Sequence, residues 1–146
     1  MLWIPSDGGR AAAGFQGEAG DCVCRAICIA ADLPYREVYQ SLSLGLRSQR
    51  LTKNSPRRKM YCNDGVTVKR KWFRDYMAGL GFSWTPTMGI GTGCKVHLRD
   101  GELPQGRLVV SVSKHYVAVI DGVIFDTHDC SRNGTRCVYG YWQKGT

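Results

Sequence analysis

Two runs of apolar and β-branched residues, His115-Tyr-Val-Ala-Val-Ile120 and Val123-Ile-Phe-Asp126, are separated only by Asp121-Gly122. Asp-Gly suits a two-residue hairpin turn because both central positions need positive φ. The turn then sets the register: Ile120 opposes Val123, Val117 opposes Asp126 and His115 opposes His128. Side chains alternate along a strand, so His115, Val117 and Val119 share one face with Ile124, Asp126 and His128. Diagonal cross-strand neighbours lie roughly 7 to 8 Å apart, which brings the Asp126 carboxylate within reach of the His115 imidazole. Val117, Val119 and Ile124 make that face apolar, and it is expected to pack against a helix.

Further β-prone runs lie at 82–85, 107–112 and 137–142, with the second hairpin strand reaching 127. Helical periodicity is confined to the first half. Asp21 is placed as an N-cap ahead of Val23, Ile27 and Ala30, which puts Cys22 on the first turn. A second helix opens at Pro34 with an apolar stripe of Tyr35, Val38, Tyr39 and Leu42, and Gly45 is expected to help end it. A third runs from about Thr67 to Leu80, with Val68, Trp72, Tyr76 and Leu80 on one face and Gly81 as its stop. Helices first and strands afterwards indicate an α+β fold, with N-terminal helices packed on a C-terminal antiparallel sheet. A length of 146 residues suits one domain, with residues 1–20 as an extended arm and loop and residues 47–66 as a basic insertion or loop.

The net charge of +8 is concentrated. Residues 47–75 hold ten Lys/Arg against two Asp, and the rest of the chain is balanced at ten against ten. A solvated loop is the simplest account of such a stretch; an acidic protein or nucleic acid is the partner it would suit. No apolar run approaches the roughly 18 residues of a membrane span, and no signal-peptide pattern opens the chain, so the expectation is a cytoplasmic protein with no membrane partner. Seven cysteines, three of them at positions 22, 24 and 28, are not spaced like a secreted disulfide framework. Reduced thiols are therefore expected.

Chemistry concentrates on Cys22. A cysteine attacks a carbonyl as its thiolate, and a helix start favours negative charge through its unpaired amides and dipole. A histidine would stabilise that thiolate and later protonate the leaving group. Of His97, His115 and His128, the hairpin register selects His115, with Asp126 to orient it. Gln16 lies six positions before Cys22, where its amide could join the Cys22 N–H in holding an oxyanion. Gly14, Gly17 and Gly20 would let that loop approach a substrate closely. Gly20, His128 and Trp142 are the candidate substrate-binding positions.

The segment Gln16-Gly-Glu-Ala-Gly-Asp21-Cys22, followed far downstream by His115-Tyr-Val-Ala-Val-Ile120 and Val123-Ile-Phe-Asp126, resembles the papain-like cysteine peptidases, most nearly the small C39-like bacterial peptidases. The matching parts cover about residues 14 to 32 and 107 to 128. The resemblance implies a papain-like fold and a thiol protease, with Gln16 as oxyanion residue, Cys22 as nucleophile, His115 as base and Asp126 as orienter. It implies no cofactor and no metal, and a peptide or protein substrate. Val23 follows the nucleophile where C39 peptidases usually carry glycine, and no transporter domain is present to couple cleavage to export.

Other readings stay open at the level of sequence. His128 would be the third catalytic member if the likeness were to the NlpC-type cell-wall amidases. Cys94, Cys130, Cys137 and His128 could gather a structural zinc, although no C-x-x-C pair is present. Cys24 and Cys28 read as core residues. The chain could also be a non-catalytic module on a papain-like scaffold that binds through residues 47–75. Deamidation and acyl transfer would use the same constellation as peptide or isopeptide hydrolysis.

Overall fold

The computed structural model describes residues 1–15, 20–53, 57–59, 61, 66 and 68–145. Among the described residues three helices, α1 (Cys22–Ala31), α2 (Tyr35–Ser48) and α3 (Lys71–Gly79), accompany six strands. The strands are β1 (Leu2–Pro5), β2 (Phe82–Pro86), β3 (Arg107–Val112), β4 (His115–Ile120), β5 (Val123–Asp126) and β6 (Val138–Lys144). They form one sheet in the order β1-β5-β4-β3-β6-β2. The fold is α+β, as the order of elements indicated. The sheet, however, is mixed rather than antiparallel, because β1 lies parallel to β5 with Leu2 beside Val123 and Pro5 beside Asp126. Residues 2–5, expected in an extended arm, are thus an edge strand.

The hairpin register is the expected one, with Ile120 opposite Val123 and Ala118 opposite Phe125. Asp121 and Gly122 both have positive φ, 48° and 78°, as a primed two-residue turn requires.

The helices use the other face of the sheet from the one expected. Val109, Ala118 and Trp142, with Tyr116 and Phe125 at the margin, pack against Val23, Ile27, Ala30, Leu42, Phe73 and Met77. Val117, Val119 and Ile124 face away from α1 into a second cluster with Leu98, Leu108, Val110, Val112, Cys130 and Val138. Both faces of β4 are apolar, so both are covered, one by helices and the other by the connections on either side of the β3–β5 meander. Each fully buried large side chain, such as Phe73, Ile27 or Leu108, adds on the order of 1.5–3 kcal/mol of hydrophobic stabilisation.

The helix ends carry two corrections. Asp21 precedes α1 but makes no side-chain cap; its buried carboxylate is taken by arginines and a tyrosine instead. The helix ends at Asp32, which adopts φ 55° and lets Leu33 N–H reach Cys28 O at 3.0 Å. Gly45 does not end α2, which continues to Ser48: a β-carbon at Gly45 would collide with the Trp72 ring, so the residue is small to let α3 approach. The buried stripe of α3 is Phe73 and Met77, with Trp72, Tyr76 and Leu80 only partly covered. Gly81 follows α3 with φ 91°, as a stop should.

Arg47 and Ser48, expected in the basic loop, belong to α2, and Arg58 folds back so that its guanidinium donates to the Arg47 carbonyl at 2.9 Å and to the Gln49 carbonyl. Those carbonyls lie where a helix C-terminus favours a cation. The expectation of reduced thiols fails at one pair: Cys94 and Cys137 form a disulfide. Cys22, Cys24, Cys28 and Cys130 are free thiols. No helix among the described residues is long and apolar enough to cross a membrane.

Candidate active site

Cys22 is the first residue of α1, and the first main-chain bond of that helix runs from Arg25 N–H to Asp21 O. The amides of residues 22–24 therefore have no acceptor within the helix and present a positive end at the thiol. The start of α1 abuts the start of β4, where Lys114 in a left-handed turn at φ 54° delivers His115 to the sheet's end. His115 Nε2 lies 2.6 Å from Asp126 Oδ2. The other ring nitrogen is thereby left to exchange a proton with sulfur. Cys22 and Tyr116 pack against the same cluster beside His115, and the His115 ring and the Tyr116 backbone N–H both act on the Cys22 thiol.

The electrostatics of the three groups agree. Burial by itself would push the Cys22 thiol up, but the His115 hydrogen bond and charge, the Tyr116 N–H and the Arg25 charge together hold it below the ordinary thiol range. Burial would likewise lower the His115 imidazole, yet hydrogen bonds with Asp126, Cys130 and Cys22 raise it to about 11. Burial would raise Asp126, but His115, the Thr127 N–H and Arg25 hold its carboxyl below the usual range. Thiolate, imidazolium and carboxylate are the forms this environment favours.

Asp126 is fixed from three sides. Its Oδ1 accepts from Thr127 N–H at 2.7 Å and lies 3.5 Å from Arg25 Nη2. Its carbonyl accepts from Ser6 N–H at 2.9 Å and from Trp3 Nε1 at 3.0 Å. Arg25 also grips Asp21, whose second oxygen lies 3.3 Å from Arg10 Nη1 and receives the Tyr35 hydroxyl. Arg10 in turn donates to the Tyr35 oxygen at 2.7 Å. A continuous network thus joins Asp21, immediately before the thiol, to Asp126 behind the histidine.

Cys22, His115 and Asp126 are brought together. Gln16 lies outside the described residues, as does Gly17. Gly20 is exposed just ahead of Asp21. His128 is exposed, with its ring centroid 5.4 Å from that of His115. It lies beside the His115 ring while Asp126 takes the bond to Nε2, so His128 as third member is not the assignment the geometry favours. Trp142 is both core and wall: it packs edge-on to Phe73 and borders a groove at the far side of Tyr116.

Arg25 and Tyr116 were not among the residues the sequence singled out, and Cys130 was singled out only as a zinc candidate. Arg25 was findable, since an acid and a base four apart on a helix meet. Cys130 sits beyond β5 in a connection with no periodicity, and nothing local announces that its sulfur reaches His115.

A cation is the other chemistry these side chains suggest, because ligand atoms of His115, Asp126 and Cys130 lie within 4.8 Å of one another. Two nitrogen or oxygen ligands on one tetrahedral zinc are held about 3.3 Å apart by bond lengths near 2 Å. The 2.6 Å between Nε2 and Oδ2 is shorter and fits a shared proton. The zinc set considered from the sequence fails on other grounds, since Cys94 and Cys137 are bonded to each other. No protein-family model, no curated protein and no solved structure matches this chain.

Proposed function

We propose that this chain is a cysteine hydrolase of papain-like construction, related to the C39-like peptidases, that cleaves peptide, isopeptide or similar amide bonds. The observation that carries the reading is the His115 Nε2 to Asp126 Oδ2 contact of 2.6 Å, made by the same imidazole that meets Cys22 at the start of α1. In the reaction, the Cys22 thiolate adds to the substrate carbonyl carbon. The oxyanion is held by the Cys22 backbone N–H and, by resemblance, by Gln16. The C–N bond then breaks as the imidazolium of His115 gives its proton to the departing amine, leaving a thioester on Cys22. Water attacks that thioester, passes a proton to His115, and releases the carboxylic acid and the thiolate. Asp126 keeps one tautomer and one ring orientation throughout. The mechanism needs Cys22 as a free thiol, and it is one here while Cys94 and Cys137 are bonded to each other.

The test is alkylation by iodoacetamide across pH, mapped by mass spectrometry, in the native protein and in His115→Ala. Selective labelling of Cys22 below the ordinary thiol midpoint of about 8.5, lost in the variant, is expected. Equal labelling of Cys22 and the other free thiols removes the catalytic reading.

The alternative of a non-catalytic module binding through residues 47–75 draws support from the exposed Arg50, Lys53 and Arg57. Binding to phosphates through that surface would weaken steeply with salt, whereas hydrolysis at Cys22 would not.

A further inference from the structure

A groove of about 600 Å³ opens on the helix face of the sheet, bordered by Tyr116, Ser111, Trp84, Tyr139 and Trp142, with Lys69 and Arg74 at its rim. Tyr116 borders it on the side of the thiol: it follows His115 in the chain and packs against the same cluster as Cys22.

Local features of the sheet build its aromatic lining. The β3–β6 register slips between Ser111 and Val112, so that Gly140 faces Ser111 while Val138 faces Val112. Tyr139 is the extra residue of that bulge. A bulge re-aims a side chain, and here Tyr139 lines the groove while Val138 and Tyr141 join the cluster on the opposite face. Gly140 has no side chain where one would strike the Trp84 ring, so Trp84 lies across β6 with its centroid 5.3 Å from that of Trp142.

Trp84 and Tyr139 are 41% and 38% exposed, an aromatic surface of the kind that marks a binding site. Lys69 and Arg74 are exposed, and neither forms an ion pair among the described residues. They belong to the stretch that carries the whole positive excess of the chain.

We propose that this groove receives the substrate of the Cys22 site, and that the substrate is an acidic peptide carrying an aromatic or large aliphatic side chain beside a carboxylate. The apolar side chain stacks on Trp84 and Tyr139, and the carboxylate meets Arg74 and Lys69. The inference rests on the hydrolase reading for the meaning of the site, but binding in the groove is testable without it.

The experiment uses the full chain with Cys22→Ser, which binds but does not turn over, and follows tryptophan fluorescence during titration. The probes are the acetylated peptide amides Glu-Phe-Glu, Glu-Ala-Glu and Lys-Phe-Lys, and a ten-nucleotide oligothymidine. Glu-Phe-Glu is expected to bind about tenfold or more tightly than either other peptide, and to lose about that factor in Arg74→Glu and again in Trp84→Ala. Both variants alter exposed side chains, and far-UV circular dichroism verifies that they fold.

Equal binding of the acidic and basic peptides, binding of none of them, or preference for the oligonucleotide overturns the proposal; the last result assigns the groove to nucleic acid. Iodoacetamide labelling of wild-type Cys22 reports separately on the hydrolase reading, so either can fail while the other stands.

Discussion

The two flanks of Cys22 are built in opposite ways. Behind it, Arg10, Asp21, Arg25, Asp126 and His115 form a buried chain of ion pairs in which each carboxylate has more than one partner. Beyond Tyr116 the surface is open and aromatic, and its cations point to solvent. A paired buried network resists change because removing one member leaves another charge buried without compensation. The exposed residues of the groove, Trp84, Tyr139, Lys69 and Arg74, tolerate change because they contribute little to the fold. On the proposed reading, the division places reactivity in the paired half and selection in the open half.

Substitutions should separate the two halves, beginning with the greatest effect. Cys22→Ala is expected to lower hydrolysis of the best peptide by on the order of 10⁴-fold or more, measured as kcat/KM, with an unchanged circular dichroism spectrum. Next is the disulfide, which closes a loop across a sequence separation of 43 and anchors Cys137 sulfur beside Met88. Replacing both cysteines by serine should cost about 4 kcal/mol in urea unfolding on the chain-entropy account.

Arg25→Ala strikes the buried network at the residue that links both carboxylates. A loss of about 3 kcal/mol in stability is expected, because Asp21 and Asp126 each lose a buried partner. The same variant should move the pH midpoint of Cys22 alkylation upward, since the Arg25 charge helps hold that thiol low. A stability loss with no change in midpoint would show that Arg25 supports the fold but not the thiolate.

The pH dependence of stability has a defined sign at each member of the pair. Asp126 is held below its ordinary value, so its contribution is complete above the unfolded value near 3.9 and is lost as pH falls through the lower folded one. His115 is raised to about 11, so its contribution is complete below the unfolded value near 6.5 and fades as pH rises toward the folded one. Thermal melts of Asp126→Asn should therefore show a flatter acid limb than the wild type. Smallest is the stability effect of Trp84→Ala, expected to be about 1 kcal/mol or less, while its effect on peptide binding is the larger one.

What could be read from the sequence was what local chemistry decides. Asp121-Gly122 dictates a turn type, the turn dictates the register, and the register places Asp126 beside His115. The choice of sheet face could not be read, because Tyr116 and Ala118 on one side are as apolar as Val117 and Val119 on the other. β1 escaped notice because Leu2–Pro5 has no alternation and includes a proline, and its partner lies more than a hundred residues away. Gly45 was ambiguous for a related reason: glycine serves both as a stop and as a gap for a neighbour, and only Trp72 decides between them. The groove depended on a bulge, which is a relation between two strands and leaves no mark on either alone.

The pairing of β1 with β5 places a length of chain far from Asp126 in sequence beneath the residue that bonds His115. Trp3 and Ser6 both bond the Asp126 carbonyl, and Arg10 supports Asp21. A chain shortened to begin at Ala11 would lack that support while keeping Cys22 and His115. On the hydrolase reading, preparations that differ only in the integrity of the amino-terminal segment should then differ in specific activity.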